Sequence, residues 1–401
     1  MNLQYLNSKN ITGLFLLIWI CLLHSQPIVQ NVSGTLEQNA TISISGNGFG
    51  TKFPATPVVW DPCTASVNLG TYYSQWLPTN AQQGSYYNTQ YRQLPFRNIP
   101  APSSHISYAI GGAHASNTSA GMYIAGNNVC VGVNIQSFDF FVQYWYRIDP
   151  LFDEENHPTS GDNMKEFSLG NTPSEIYTGL HGFNGWCGSH VPNINFTAPL
   201  RLVRIPIDCP PLPYSCSNDQ YIVYHLNPIN DWVKMQWEGG YNDTHDNPAI
   251  KFSTFPDGQV TYQSHYGTQI TVNDTYVGCG HPDKDDLEFV GIGGFARLPR
   301  MNNGVNSFRY FTAIYIDSVK SRVMIGDNAD YNLCTKMEPQ IPVSWSQNAI
   351  TATVNLGAIQ SGESAYLFVF DEANNHNPVG FSLGTGGNEP PGKPQGLEVT
   401  N

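Results

Sequence analysis

Charge is scarce in this chain. Only 12% of its 401 residues are charged, and 31 acids against 18 bases leave a formal net charge of −13. So few bases exclude the dense cationic surface that nucleic acid or an anionic membrane selects. Long apolar runs are lacking as well. Ile11–Leu23, at 13 residues, is too short for the ~20 that cross a bilayer, and nothing later is longer and as apolar. No C-x-x-C or His-x-His spacing marks a metal site. The Gly-rich phosphate loop is missing. There is no internal repeat, and low complexity is confined to the extreme C-terminus.

What the first residues hold is a leader. Lys9, the apolar stretch Ile11–Leu23 and the small or polar His24–Gln26 have the charge, length and ending of a secretory signal peptide over residues 1–25. A secreted, extracellular protein with no membrane span is therefore expected, and cleavage near Ser25 removes one lysine and no acid. Of the eight cysteines, Cys21 lies in this leader, and the remaining seven are expected to form mostly disulfides with one left over. Cys209 and Cys216, bracketing the Pro-rich loop PPLPYS, are the best candidate pair. N-glycosylation sequons stand at Asn31, Asn39, Asn117, Asn195, Asn242 and Asn273. In a chain so rich in Asn about that many arise by chance, so they permit glycosylation without arguing for it.

Glycine (37), proline (28), tyrosine (22) and phenylalanine (20) are plentiful, which favours short strands joined by turns. The stretch Ala40–Thr51 (ATISISGNGFGT) shows the pattern at its clearest. Ile42 and Ile44 alternate with Thr41, Ser43 and Ser45, the period of a strand with one buried face. Gly46, Gly48 and Gly50 then surround Phe49, an aromatic thrown inward from a permissive backbone. This opening resembles that of IPT/TIG-type immunoglobulin-like domains, which carry a short apolar strand and a G-x-G-F-G turn. Such a domain needs further strands, yet the pattern stops near Trp60 and resumes only near Arg322. Ala349–Asn355 and Ala365–Asp371 supply strands at the far end. The expected plan is one small sandwich from residues 26–58 and 321–385, split by an insertion over residues 59–320. Residues 386–401 form a Pro/Gly-rich tail.

The insertion reads as strand after strand. Phe138–Ile148 sets Phe140, Val142, Tyr144, Tyr146 and Ile148 on one face and Phe141, Gln143, Trp145 and Arg147 on the other. Apolar character on both faces suits a central strand between two layers. The order of an FFVQYWYRI strand, a DWVKMQW strand, a hairpin at Pro256-Asp257-Gly258 and a late FRYFTAIYID strand resembles the laminin-G/concanavalin-A-like jelly roll of bacterial secreted surface proteins. The expected fold class is thus all-β, a concanavalin-A/laminin-G-like jelly-roll sandwich inserted into a small immunoglobulin-like (TIG-like) sandwich.

Chemistry is harder to find. Jelly-roll glucanases carry paired carboxylates as E-x-D-x-x-E on one strand, and the lyases of this fold carry R-S/T-E-x-R or Y-F-K-x-G-x-Y-x-Q. None of these spacings occurs here. Asp162, Lys165 and Glu166 are close in sequence, but Lys165 and Glu166 fall on opposite faces of a strand. The expectation is therefore that the chain is not an enzyme and has no cofactor, with Asp283, Asp285 and Asp286 a candidate structural calcium site or simply a solvated acidic turn. Tyr72, Tyr73, Trp76 and Trp186 are candidates for stacking on glycan, in company with Tyr86, Tyr87 and Tyr91 among Gln and Asn; ordinary loop packing explains them equally. Two extended ends, with Ile28 and Val29 in one and Leu397 and Val399 in the other, are candidates for self-association by pairing with a neighbour's sheet edge. Low charge and these ends favour a non-catalytic structural or adhesive subunit partnered by copies of itself, and able to form a filament. The alternatives are a lectin-like carbohydrate-binding module, or a polysaccharide lyase or glycoside hydrolase with an unrecognised active site.

Overall fold

The structure, a computed structural model, describes residues 26–63, 90–96, 99–114, 139–148, 232–240 and 307–385, together with separate strands between residues 130 and 297. In chain order the strands that matter here begin with β1 (Ile28–Gly34), β2 (Thr41–Asn47), β3 (Val59–Asp61), β4 (Gln90–Gln93) and β5 (Tyr108–His114). Next come β6 (Asp139–Ile148), β7 (Val233–Gly240), β8 (Ala249–Phe255), β9 (Tyr276–Val277) and β10 (Ser307–Asp317). The C-terminal group is β11 (Arg322–Gly326), β12 (Met337–Pro339), β13 (Ile341–Trp345), β14 (Ala349–Thr353), β15 (Ser364–Phe370) and β16 (Phe381–Thr385). Among the described residues the structure is all-β, built from antiparallel sheets and one short 3-10 turn.

Two four-stranded sheets, ordered β1-β2-β14-β13 and β12-β11-β15-β16, pack face to face into a small sandwich. Its core is aliphatic: Val32, Ile42 and Ile44 from the N-terminal strands meet Val323, Ile325, Ile350, Leu367 and Val369 from the C-terminal ones. The two ends of the chain are joined in register, Ile42 opposite Ala352 and Ile44 opposite Ile350. Strand β2 is buried at every second residue, as its alternation of Ile with Thr and Ser requires. Phe49 is fully buried in this core, and Gly48 and Gly50 on either side of it have φ of 72° and 66°. A Cβ on Gly50 would meet the Glu372 Oε2 at 1.7 Å, the atom that accepts the Thr51 N–H.

The large sheet runs β9-β8-β7-β6-β10-β5-β4, with β3 paired to the far part of β10. A register shift in β10 between Thr312 and Tyr315, with Ala313 at φ 48°, separates the residues that pair with β5 from those that pair with β3. Seven- and three-stranded sheets, also from the insertion, accompany it. Strand β6 is central in its sheet and buried on both faces. By register, Phe140, Val142 and Tyr144 share one face with Met235 and Trp237, while Phe141, Gln143 and Trp145 share the other with Lys234, Gln236 and Glu238.

The layer on the second face is the small sandwich. Met324, Met337, Phe368 and Phe370 turn away from the aliphatic core and pack on Phe141 and Tyr315 of the large sheet. Strands β11 and β15 therefore read as near-continuous apolar runs because each is sandwiched between two layers. The insertion is accordingly not a separate body: it shares a buried interface with the sandwich that it interrupts.

Candidate functional site

Residues that carry chemistry are concentrated at this interface. Three buried ion pairs cross or close it: Lys234 with Glu338, Arg322 with Glu238, and Lys52 with Asp317. All six side chains are 5% exposed or less. Their placement follows from strand parity. Lys234, Gln236 and Glu238 alternate along β7 on the face turned to the small sandwich, and Arg322 sits on the opposing face of β11.

The Arg322 guanidinium lies between two rings, 4.2 Å from the Phe141 centroid and 3.7 Å from that of Phe370. One amino group donates to Glu238 Oε2 at 2.9 Å, and the other to the Lys320 carbonyl and Asn374 Oδ1 at 2.8 and 2.7 Å. A planar, weakly hydrated cation suits such stacked burial better than an ammonium does. The Lys234 ammonium donates to the Met337 carbonyl at 3.0 Å and stands 4.6 Å over the Trp145 ring. Its partner Glu338 also accepts the Ala358 N–H at 2.8 Å. A chain of amides crosses the same interface: Gln143 Nε2 donates to Gln236 Oε1 at 3.0 Å, and Gln236 Nε2 to the Tyr331 hydroxyl at 3.1 Å.

Burial dominates the proton affinities here. It pushes the Lys234 and Lys52 ammonium groups down and the Glu338 and Asp317 carboxyls up, in each case against the pull of the partner charge. The Tyr315 phenol is held well above its ordinary value by burial and by the Asp317 carboxylate. Such an arrangement fixes two layers in one relative position.

The cysteines depart from expectation. Cys63 and Cys334 are both free and buried, so the pattern of a single unpaired thiol fails. Two of seven are thiols, and the five left are an odd number. Both are inert by environment: burial raises the Cys63 thiol well above its usual range and pushes Cys334 up to about 12. Cys63 is at φ 52° and is tied to Asp61 through both its N–H and its Sγ.

Other expected positions divide into placed and unplaced. Ile28 and Val29 do not form a free end: they pair with Asn47 and Gly46 of β2 in the same chain, which corrects the view of that segment as unpaired. Asn31 and Asn39 are exposed, as glycan acceptors must be. Asn195 lies in a strand, Asn193–Asn195, and Tyr91 in β4. Tyr72, Tyr73, Trp76, Trp186, Cys209, Cys216, Asn117, Asn242, Asn273, Asp283, Asp285, Asp286, Leu397 and Val399 lie outside the described residues. No group of three or more His, Cys, Asp or Glu able to hold a metal occurs among the described residues, nor does any helix there have the length and apolarity to cross a membrane. The ion-pair residues escaped sequence reading because the members of each pair are far apart in the sequence, and nothing local marks a lysine or glutamate as buried.

No family model and no curated protein matches the chain. Solved structures do. An alginate lyase is 12% identical over 70% of this chain and 98% of its own, with a TM-score of 0.33. A winged bean acidic lectin complexed with methyl-α-D-galactose is 10% identical over 52% of this chain and 85% of its own, with a TM-score of 0.28. A GH131 β-glucanase catalytic domain from Podospora anserina is 9% identical over 53% and 71%, with a TM-score of 0.25. These likenesses concern the fold, an all-β sandwich. The expectation that the chain is not an enzyme is withdrawn, because it rested on missing motifs alone. The missing E-x-D-x-x-E spacing excludes one arrangement of carboxylates, whereas a sandwich can bring carboxylates together from different strands.

Proposed function

We propose that this is an exported carbohydrate-recognising protein whose large sandwich carries the saccharide site and whose small, IPT/TIG-like sandwich is its fixed base. The observation that carries this reading is the composition of the aromatic and amide-rich stretch. It runs from Tyr72 to Tyr91 and ends in β4, the outermost strand of the large sheet. Aromatic faces stack on the apolar C–H surface of sugars, and Gln and Asn side chains both donate and accept towards hydroxyls. The Lys234–Gln236–Glu238 face of the same sheet is covered by the small sandwich, so the reading does not use that face for a ligand. Affinity electrophoresis against neutral and uronate polysaccharides tests the reading. Retardation by one class, weakened at least tenfold in Trp76→Ala, is expected; migration unaffected by every polymer would overturn it. Release of unsaturated or reducing ends in the same incubations would make that site catalytic.

Self-association is a second reading, favoured by one observation. Strands β1 and β13 are the two open edges of one sheet, and they expose Ile28 (53%) and Val343 (57%). An open edge with exposed aliphatics is a template for a second copy. Light scattering of the full chain and of a Val343→Lys variant tests it: a concentration-dependent mass that the variant abolishes supports the contact, and a monomer at every concentration ends it.

A further inference from the structure

We propose that Lys52 and Asp317 are the reactants of an intramolecular isopeptide bond, formed by the folded chain itself and locking the neck between the two sandwiches. Lys52 leaves the small sandwich just after β2, and Asp317 is the last residue of β10, where the chain returns from the insertion. The Lys52 Nζ is in contact with Asp317 Oδ2, and both side chains are sealed from water, at 0% and 2% exposure. The flanks are pinned, since Thr51 donates its N–H to Glu372 at 2.8 Å and accepts from the Ser321 hydroxyl at 2.9 Å. Amine and carboxyl are thus held together at the effective molarities that turn a slow condensation into an intramolecular one.

The two carboxyl oxygens have different surroundings, and these assign their roles. Oδ1 accepts the Ser318 backbone N–H at 2.9 Å, a donor placed to hold the oxyanion of a tetrahedral intermediate. Oδ2 accepts the Tyr315 hydroxyl at 2.9 Å, which makes it the oxygen that leaves. The neutral amine attacks Cγ, forming the Nζ–Cγ bond. Tyr315 gives its proton to Oδ2, already a hydroxyl in the protonated acid, and receives one proton from the attacking nitrogen. The Cγ–Oδ2 bond breaks and water departs, leaving an amide that keeps one N–H and a tyrosine with its proton restored. No oxidant or co-reactant is needed. Burial favours the neutral amine and the neutral acid, and the Arg322 charge also disfavours protonated Lys52. Tyr315 stays protonated, and the further charges around it, Arg322 and Glu238, are paired with each other.

The Lys234–Glu338 pair is the internal control. It is as deeply buried, but among the described residues Glu338 Oε2 has no hydroxyl donor beside it and so no group there to relay the proton. It should remain an ion pair.

Peptide mapping of the full mature chain by mass spectrometry tests the proposal. The expected result is a branched tryptic species joining the Lys52 and Asp317 peptides, lighter than their sum by one water, with no cleavage after Lys52. Asp317→Ala should abolish it. Because that variant leaves a buried lysine and can fail to fold, Tyr315→Phe supplies the second arm: it keeps the ring and should yield folded protein with the bond largely unformed. Ordinary cleavage after Lys52 in the wild type would overturn the proposal. A branch at Lys234 and Glu338, or an unchanged yield in Tyr315→Phe, would overturn the roles assigned to the oxygens.

Discussion

The aliphatic core of the small sandwich and the charged interface beneath it are separated by the thickness of one sheet. On one face of β11 stand Val323 and Ile325, in the core, and on the other stand Arg322 and Met324, at the interface. Among the described residues the core buries no ion pair and the interface buries three. The difference lies in what each can tolerate. An aliphatic core accepts many packings of similar volume. The pairs Lys234–Glu338 and Arg322–Glu238 accept one docking, because a shift of a single residue along β7 or β11 would leave these charges buried without their partners. The core supplies most of the stability, and the interface specifies how two sandwiches sit.

That contrast can be broken from either side. Phe49→Ala empties the middle of the core and should cost about 3–5 kcal/mol, read as a lowered urea midpoint with little change in slope. At the interface the single change Lys234→Met leaves Glu338 buried and uncompensated, a loss of about 3–5 kcal/mol. The double variant Lys234→Met/Glu338→Leu should recover most of that loss, since apolar groups of similar volume often match a buried pair. If the double variant is no more stable than the single one in urea, the pair contributes net stability and the division drawn above fails. In the amide chain, Tyr331→Phe removes the acceptor of the Gln236 Nε2 and should cost about 1–2 kcal/mol, with the aromatic packing of residue 331 on Phe368 and Phe370 retained.

The smallest effect lies at the surface. Glu363 sits below its ordinary value, first because it accepts the Gln360 N–H and then because of Lys336. A depressed folded-state carboxyl stabilises above the unfolded value near 4.5 and loses that contribution as pH falls through the folded one. Glu363→Gln should therefore lower thermal stability slightly at neutral pH and leave it unchanged at strongly acid pH. An equal difference at both would assign the effect to packing. With the side chain 37% exposed, solvent screening keeps the shift small.

What the sequence determined by itself is what local pattern can encode. The alternation of Ile42 and Ile44, the glycines around Phe49 and the two-sided apolar run of β6 dictate strands and the faces they bury, because side chains alternate with a period of two. Composition likewise dictates an all-β chain. What only the tertiary structure decided is which surface lies against which. The sequence cannot tell that the second face of β6 is covered by the small sandwich, since two layers of any origin leave the same apolar pattern. Nor can it mark Lys52 and Asp317, which are 265 residues apart, as partners. A lysine in a turn reads as solvated until the fold removes the water. Charges that stand singly along the chain become a constellation only where strand parity and sheet packing bring them face to face.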